Sequence, residues 1–411
     1  MKHKIQIWFL ALLLTGGCSV LTEDEPEFGN SGLLRNSLPI PPAVMSHLVG
    51  NFRAIASSSL FRGRLTVKNA NSRLALYSYE AETYAVFNAG CVDNAVVFEG
   101  RTRDPASQTT GLMRLRIAAN QGGTEICAGT APTIPHVRYT GEYGSSRNSL
   151  TETISLEFET ALKPPPSNLY IIGHHGCRTV DACGASENSI EGINYASYLG
   201  ANAVEIDVLL SKDGVPFLYH DPDFNSRLTT GILCLGDVTN YTILLIKVFC
   251  RLKYGEIIPT LREVLTHLLN DDSIKMIWID PKTTAAMGPI VALANEFQTK
   301  PRTAGGFLEI LVGIPDDDYL NAFKAAPGYG SAKCLVEYSV SVTLEMGCRA
   351  YGPRFTLGPQ PGDAGTLHSN GKVIFYWTVN DKSFFPTYLG YGAADGFISD
   401  RTFLLYSYFQ Q

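Results

Sequence analysis

The sequence has no excess of positive charge and no long apolar run near its N-terminus. It carries 33 Lys and Arg against 39 Asp and Glu, a formal net charge of −6, so it lacks the basic field that holds a polyanion. The apolar run Ile5 to Leu14 is too short to span a bilayer as a helix. We therefore expect no nucleic-acid partner and no transmembrane helix at the N-terminus.

The first 18 residues have the pattern of an export signal. Lys2 and Lys4 precede the apolar run, which ends in Leu14-Thr15-Gly16-Gly17-Cys18. This ending resembles the lipobox of bacterial lipoproteins, although Thr15 stands where that pattern prefers Leu. The resemblance implies an exported lipoprotein anchored to a membrane through lipid on Cys18, at the outer membrane or cell surface. Plain secretory cleavage is the alternative.

The cysteine count agrees with export. Setting Cys18 aside from the nine cysteines leaves an even number, which suits the oxidising space outside the cytoplasm. Sequence alone does not fix the connectivity, and several of these cysteines could instead be buried free thiols. Neighbours in order suggest local disulfides at Cys91–Cys127, Cys177–Cys183, Cys234–Cys250 and Cys334–Cys348.

Composition divides the rest of the chain into three parts. Residues 19–44 have few bulky apolar groups and predict a disordered tether. Residues 45–163 show short alternating runs between Gly, Asn and Ser turns, which predict a small all-β, sandwich-like accessory domain. This part lacks a cluster of His with carboxylates: its histidines, His47 and His136, lie far apart in the sequence. The triple proline 164–166 marks the boundary to residues 167–411.

Residues 167–411 alternate apolar strand-like runs with helix-like stretches, which favours an α/β fold with a parallel sheet. Eight strand candidates over this length fit a (β/α)₈ TIM-type barrel, with an open doubly wound sheet as the alternative. A further run, Arg349 to Phe355, leaves the strand membership open. The eight candidates are Leu169–Gly173, Ala203–Leu210, Pro216–Tyr219, Ile274–Ile279, Leu308–Ile314, Cys334–Tyr338, Val373–Val379 and Gly396–Ser399.

Polar residues fall at the C-terminal ends of four successive strand candidates, where such sheets bind ligands. Buried polar side chains are costly without partners, so the pattern predicts a binding site at these ends. The residues are His174 and His175 after the first candidate, Glu205 and Asp207 within the second, His220 after the third, and Asp280 with Lys282 at the fourth.

These residue types favour cleavage of a phosphodiester. Glu205 and Asp207 lie two apart on a strand, so their carboxylates point to the same side. With Asp280 they would form an all-oxygen site that suits Mg²⁺ or Ca²⁺ rather than zinc. A salt bridge of Glu205 with Lys282 or Arg178 is the alternative.

Two histidines and a lysine would complete such a site. His174 and His220 can divide the acid and base work of the cleavage, one accepting a proton and the other protonating the leaving group. Lys282 can stabilise the charge on the phosphoryl oxygens.

Several separate motifs resemble the glycerophosphodiester phosphodiesterase family in order and spacing. The resemblance covers residues 169–411 and implies a barrel that hydrolyses glycerophosphodiesters, with the help of a metal ion, to glycerol 3-phosphate and an alcohol. The motifs are Gly173-His174-His175-Gly176, Glu187-Asn188-Ser189, residues 200–208 and 212–216, His220-Asp221, residues 258–261, Asp280-Pro281-Lys282, Trp377-Thr378-Val379-Asn380 and residues 395–400.

The resemblance also implies a role for each matched residue. His174 and His220 match the catalytic histidines, and Lys282 faces the phosphate. The carboxylates Glu205, Asp207 and Asp280 match the metal ligands.

Two positions depart from the family pattern. His175 stands where the family usually has Arg, which removes a bidentate phosphate clamp, and Arg178 is a candidate to replace it. Asp280 stands where Glu is usual, so its carboxylate is one methylene shorter. Trp377 is a candidate to line the mouth of the substrate site.

Two other functions remain open from the sequence. A phospholipase D that acts on lysophospholipid or sphingomyelin would use a similar plan of two histidines and metal carboxylates. A surface binding protein that keeps the barrel without turnover is the other, and detectable metal-dependent turnover would exclude it.

Overall fold

A computed structural model describes residues 26–29, 32–56, 60–70, 73–144, 150–178, 184–230 and 233–411. The predicted export signal, with Cys18, lies outside these residues. Within the described part of the chain, no helix combines the length and the apolar character that a membrane crossing needs.

The first domain is a closed barrel of eight antiparallel strands, in which β1 pairs with both β2 and β8. The all-β class is confirmed, but the sandwich-like arrangement is wrong. The pairing runs continuously around the sheet, which removes the free edges that two separate sheets would have. The strands are β1 (Gly50–Ala56), β2 (Arg64–Ala70), β3 (Arg73–Ser78), β4 (Thr83–Val92), β5 (Ala95–Asp104), β6 (Thr109–Ile117), β7 (Arg138–Gly144) and β8 (Glu152–Thr160).

Aromatic side chains fill this small barrel. Phe52 and Phe98 are buried and both contact the ring of Tyr139, at centroid distances of 5.2 and 5.4 Å. Short helices lie around the strands: α1 (Gly123–Cys127) and 3₁₀ turns at Leu34–Asn36, Pro42–Leu48 and Ala119–Gln121.

The segment predicted as a disordered tether, residues 19–44, is ordered where the structure describes it. The backbone N–H groups of Leu33 and Leu34 donate to the buried carboxylate of Glu99, at 3.0 and 3.3 Å. Leu38 forms an isolated antiparallel bridge with Cys91. The prediction of disorder was based on the small number of apolar side chains, whereas hydrogen bonds of the backbone hold this segment in place.

The second domain is a closed barrel of parallel strands flanked by helices, which confirms the TIM-type prediction. Its strands are β9 (Tyr170–Gly173), β10 (Ala203–Leu210), β11 (Pro216–Leu218), β12 (Asp223–Phe224), β13 (Thr229–Thr230), β14 (Gly236–Asp237), β15 (Arg251–Leu252), β16 (Met276–Pro281), β17 (Glu309–Ile314), β18 (Cys334–Val336), β19 (Ala350–Tyr351), β20 (Val373–Tyr376) and β21 (Gly396–Ser399). Its helices are α2 (Ile190–Tyr198), α3 (Ile243–Phe249), α4 (Leu261–Leu269), α5 (Met287–Phe297), α6 (Asp317–Ala325), α7 (Val340–Glu345), α8 (Pro361–Ser369), α9 (Phe384–Gly390) and α10 (Thr402–Tyr408).

Strand membership differs from the prediction in one respect. The barrel order is β9, β10, β16, β17, β18, β19, β20 and β21, closing back on β9. The third predicted strand, β11, pairs antiparallel with β10 on the outside of this order, with Leu210 opposite Pro216 and Val208 opposite Leu218. Its place is taken by β19, which lies within the additional run Arg349 to Phe355.

The start of helix α4 is fixed by a capping box. Thr260 accepts a hydrogen bond from the backbone of Glu263, and the Glu263 carboxylate accepts one from the backbone of Thr260, at 2.7 Å.

Inside the second barrel, apolar side chains such as Met276, Leu311 and Phe375 form a buried core. The polar side chains therefore occupy the rim above it.

The two domains share one apolar core. Tyr77 and Tyr84 of the first domain are buried against Phe403 of α10, with ring centroids 6.0 and 5.2 Å away. Tyr84 also contacts Tyr195 of α2 at 6.5 Å. Near the end of the chain, the buried side chain of Gln410 accepts a hydrogen bond from Asn51 at 3.3 Å.

A polar contact also joins the domains close to the rim of the second barrel. The turn between β3 and β4 presents Glu82, whose carboxylate lies 3.1 Å from Lys382 and 3.6 Å from Arg401. Lys382 also donates to the carbonyl of Tyr79 at 2.7 Å. These lysine and arginine residues stand on the loops that follow β20 and β21.

Three of the suggested disulfides are present: Cys91–Cys127, Cys234–Cys250 and Cys334–Cys348. The fourth suggested pair involves Cys183, which lies outside the described residues. Disulfides at these positions agree with folding in an oxidising compartment.

We predict that Phe403→Ala destabilises both domains together, because its ring fills the core that they share. Large-to-small changes of a buried Phe cost about 3–5 kcal/mol. Chemical denaturation, followed by tryptophan fluorescence and by circular dichroism, measures the change. Phe307→Ala is the matched control, since the Phe307 side chain is 63% exposed. A midpoint unchanged by Phe403→Ala would contradict the shared core.

Candidate active site

A cavity of about 730 Å³ opens at the C-terminal ends of the barrel strands. It is lined by all nine of the site residues that the sequence predicted: His174, His175, Arg178, Glu205, Asp207, His220, Asp280, Lys282 and Trp377. Eight further residues complete the lining: Asp221, Arg227, Trp278, Glu337, Thr378, Asn380, Ile398 and Asp400.

His174 is held by a carboxylate at one side of the cavity. Its Nδ1 lies 2.6 Å from Oδ1 of Asp400, which follows β21. Asn380 donates to the other oxygen of Asp400 at 2.6 Å and accepts from the backbone N–H of Asp400 at 2.9 Å. Burial and the charge of His175 lower the pKa of His174, against the opposing effect of Asp400. The ring is therefore oriented and is mainly neutral near pH 7.

His220 lies at the opposite side of the row of histidine rings. The ring centroids of His174 and His175 are 3.8 Å apart, and those of His175 and His220 are 5.1 Å apart. Nδ1 of His220 is 2.7 Å from Asp221, whose carboxylate also accepts from Arg227 at 2.6 Å. Because β11 runs back along β10, it returns the chain to the level of Asp207, where Tyr219 N–H donates to the Asp207 carbonyl.

Three carboxylates converge between these histidines. Glu205 and Asp207 point inward from β10, and Asp280 lies directly opposite Asp207 in the pairing of β10 with β16. One oxygen from each of the three lies within 4.8 Å of the others. Burial and the charge of Asp207 raise the pKa of Glu205, and burial raises the pKa of Asp280. Their close approach is costly unless positive charge lies nearby.

Polar partners on neighbouring loops satisfy part of this negative charge. Asn188 makes two hydrogen bonds with Asp207, donating to Oδ2 at 2.6 Å and accepting from the backbone N–H at 2.9 Å. Lys282 lies 2.8 Å from Asp207 and 2.6 Å from Asp280. The alternative of a salt bridge from Glu205 to Lys282 or Arg178 is wrong, since the closest ion pairs of these cations are with other carboxylates.

The carboxylate cluster could hold a metal ion. Its donors are all oxygen atoms, two of the three side chains are buried, and a single lysine contacts only two of them. Such a set suits a hard divalent cation. His175 with Glu205, and His220 with Asp207, also lie close enough to contribute.

His175 lies at the centre of the site and is surrounded by negative charge. Its backbone N–H donates to Glu205 at 2.9 Å, and its ring lies 3.4 Å from Glu187 and 3.6 Å from Asp207. Burial alone would lower the pKa of His175, but these carboxylates raise it to about 10. The ring is therefore cationic in the metal-free site, so the position keeps a positive charge even though it lacks the arginine fork.

The last two predicted residues line the cavity wall. Arg178 donates to Asp400 at 3.3 Å, so its charge supports the partner of His174. The indole N–H of Trp377 donates to the carbonyl of Gly352 at 2.7 Å, and the guanidinium of Arg354 lies over the ring at 5.1 Å.

Several residues that complete the site were not predicted from the sequence. Asp400, Asn380, Asn188 and Glu187 all belong to motifs that were noticed, but they received no role because their partners are far away in sequence. Glu337 lacked any signal beyond its place after a strand; burial and the charge of Asp280 raise its pKa to about 8.

Comparison with known proteins agrees with this geometry. The sequence model of the Glycerophosphoryl diester phosphodiesterase family matches residues 173–302, which include both site histidines and the three converging carboxylates. The second domain belongs to this family. The chain is thus an enzyme, a hydrolase of phosphoric diesters that acts on glycerophosphodiesters.

Two curated relatives each match a little more than half of this chain. A curated protein of Mycobacterium tuberculosis, "Probable glycerophosphodiester phosphodiesterase 2", is 26% identical over 233 residues, 53% of this chain and 83% of that protein. The glycerophosphodiester phosphodiesterase of Caldanaerobacter subterraneus is 27% identical over 244 residues, 56% of this chain and 93% of that protein.

Solved structures of phosphodiesterases likewise cover more than half of this chain. The crystal structure of a glycerophosphodiester phosphodiesterase from Parabacteroides distasonis aligns with 20% identity and a TM-score of 0.47, over 60% of this chain and 100% of that one. A phosphodiesterase from Oleispira antarctica, solved in complex with the product sn-glycerol-3-phosphate, aligns with 21% identity and a TM-score of 0.46, over 58% of this chain and 96% of that one.

We predict that Asp400→Asn lowers the pKa of His174 further. Asp400 stabilises the protonated ring, so removing its charge favours the neutral form. An NMR pH titration of the metal-free protein measures this, with the His174 signal assigned from its loss in His174→Ala. Asp395→Asn is the control, because Asp395 contacts a different histidine, His368. An unchanged or raised pKa of His174 in Asp400→Asn would show that Asp400 does not stabilise the protonated ring.

Proposed function

We propose that the phosphodiesterase domain hydrolyses glycerophosphodiesters with a divalent cation, Mg²⁺ or Ca²⁺, and two histidines. One observation carries this proposal: His174 and His220, each fixed through Nδ1 by its own carboxylate, flank the oxygen cluster of Glu205, Asp207 and Asp280 within a single cavity. Acid, base and charge-stabilising groups are therefore placed around one substrate-sized space.

The cation would neutralise charge on the phosphoryl oxygens, and Glu205, Asp207 and Asp280 would hold it. Lys282 is close enough to the same carboxylates to add positive charge beside the phosphate. His175 supplies a further donor where the family usually has arginine, as a single ring rather than a bidentate fork.

The histidines divide the proton transfers. Because Nδ1 of each ring contacts a carboxylate, Nε2 is the nitrogen available to the substrate. A lowered pKa keeps His174 neutral near pH 7, which suits a base that accepts the proton of the attacking oxygen. His220, paired with Asp221, then protonates the leaving alcohol.

The test uses the chain without residues 1–18 and glycerophosphocholine as substrate. We expect release of glycerol 3-phosphate that chelator abolishes and that added Mg²⁺ or Ca²⁺ restores. His174→Ala should lower kcat by about 10²–10⁴-fold, the usual contribution of a general acid or base. His136→Ala is the control, because His136 is exposed on the first domain.

Three results would contradict this function. If chelator did not affect the release, the activity would not depend on a metal ion. Full activity of His174→Ala would exclude the proposed role of this histidine. Cleavage of lysophospholipid without cleavage of glycerophosphocholine would move the activity to a phospholipase.

We also propose that the chain is exported and anchored to a membrane by lipid on Cys18. The disulfides of both domains support an oxidising destination. In a bacterial host, Cys18→Ser should move the protein from the membrane fraction to the soluble exported fraction, as measured by fractionation and by the mass of the mature N-terminus. Unchanged fractionation and a mass without lipid in the parent chain would contradict the anchor.

A further inference from the structure

Exposed apolar side chains concentrate in one small part of the second domain. Within the described residues, 16 large hydrophobic side chains are exposed, and seven of them lie between residues 233 and 257. We call these seven the apolar patch: Leu233, Leu235, Leu244, Leu245, Val248, Phe249 and Ile257. They belong to the lobe formed by residues 222–230 and 233–258, between β11 and α4.

Local geometry brings the patch residues together. On α3, positions 244, 245, 248 and 249 share one face by helical spacing, while Ile246 points the other way and is fully buried. The disulfide Cys234–Cys250 holds the segment that contains Leu233 and Leu235 beside the C-terminal end of this helix. Ile257 forms a bridge with Arg251, directly after the same disulfide.

The lobe has a core of its own, so these exposed side chains are not its interior. Phe217, Phe224, Leu228 and Ile246, with both cysteines of the disulfide, form a buried cluster beneath the patch. Exposed apolar side chains that are grouped outside a buried core are a feature of interaction sites.

Along α3 and the residues that directly follow it, the charged side chains are all basic, whereas Asp237 and Glu256 lie beside other residues of the patch. From Ile243 to Lys253 the chain contains Lys247, Arg251 and Lys253 and no carboxylate, although the chain as a whole carries a net charge of −6. Lys247 also contacts Glu263 of α4. Apolar side chains flanked by Lys and Arg are the composition of segments that lie at a lipid interface, where the aliphatic stems and the charges are both satisfied.

The lobe also borders the active-site cavity. Arg227, which lies within the lobe, lines that cavity and contacts both Asp221 and Glu187. The lobe that carries the patch therefore also contributes to the wall of the active-site cavity.

We propose that the apolar patch docks the second domain on the surface of a phospholipid bilayer. The basic residues of α3 and its C-terminal extension favour an anionic surface over the same patch of a second copy, which carries the same positive charges. Docking would bring the cavity to the place where phosphodiesters of lipid headgroups are found; only this consequence rests on the proposed function. The docking itself is separate from catalysis and from the lipid on Cys18.

The experiment measures vesicle binding without the proposed anchor. The chain without residues 1–18 keeps every described residue, and we expect it to sediment with vesicles of phosphatidylglycerol and phosphatidylcholine more than with vesicles of phosphatidylcholine alone. Leu244→Glu combined with Val248→Glu should lower the partition coefficient by about tenfold or more. Both side chains are exposed, at 68% and 54%, so the core is left intact.

The control is Phe307→Glu combined with Tyr391→Glu, which makes the same change of charge at two exposed apolar positions outside the lobe. This variant should bind vesicles like the parent, and both variants should keep the parent's turnover of soluble glycerophosphocholine. Loss of turnover with vesicle binding intact would contradict the proposed function but not the proposal that the patch binds a bilayer.

Three outcomes would overturn the docking proposal. The parent chain could fail to bind anionic vesicles, or the Leu244→Glu and Val248→Glu variant could bind as well as the parent. Alternatively, sedimentation velocity could show a dimer of the parent that this variant abolishes, with no binding to vesicles, which would assign the patch to a second copy of the chain.

Discussion

The active site depends on three carboxylates that are brought together at a largely buried point of a barrel. Glu205 and Asp207 come from one strand and Asp280 from the next, and the pairing of β10 with β16 brings them together. Negative charge at this density is unfavourable without compensation. The surrounding side chains follow from that constraint: Lys282 and His175 bring positive charge, and Asn188 donates to Asp207. A bound cation would complete the same compensation, and the proposed chemistry uses the charge that results.

Much of this site could be predicted because a strand has a fixed alternation of side chains. Two carboxylates at positions 205 and 207 must point the same way, and in a parallel sheet the ends of successive strands must meet. His220 was placed correctly for a wrong reason: it follows β11, which is not a strand of the barrel. Strand β11 returns antiparallel along β10 and so places this histidine at the level of Asp207. The pattern of apolar residues does not distinguish such an antiparallel strand from a parallel one.

The contacts that hold the histidines of the site could not be predicted in the same way. Asp400 contacts His174 across 226 positions of sequence, and no periodicity relates the two. The same holds for the first domain, whose alternating strands indicate the all-β class but not how they close into a barrel. The run that contains β19 was noticed but could not be assigned to the second barrel, because only two of its residues are paired as a strand, too few to give a clear alternation.

The contact of Glu82 with Lys382 and Arg401 has a mechanical meaning. Lys382 lies two residues after Asn380, and Arg401 directly follows Asp400. The Glu82 carboxylate of the first domain therefore contacts both of the loops that position Asp400 beside His174. A hinge motion that separated the domains would pull on these loops and tilt the imidazole. The small β barrel thus supports the rim of its larger neighbour at the loops that follow β20 and β21.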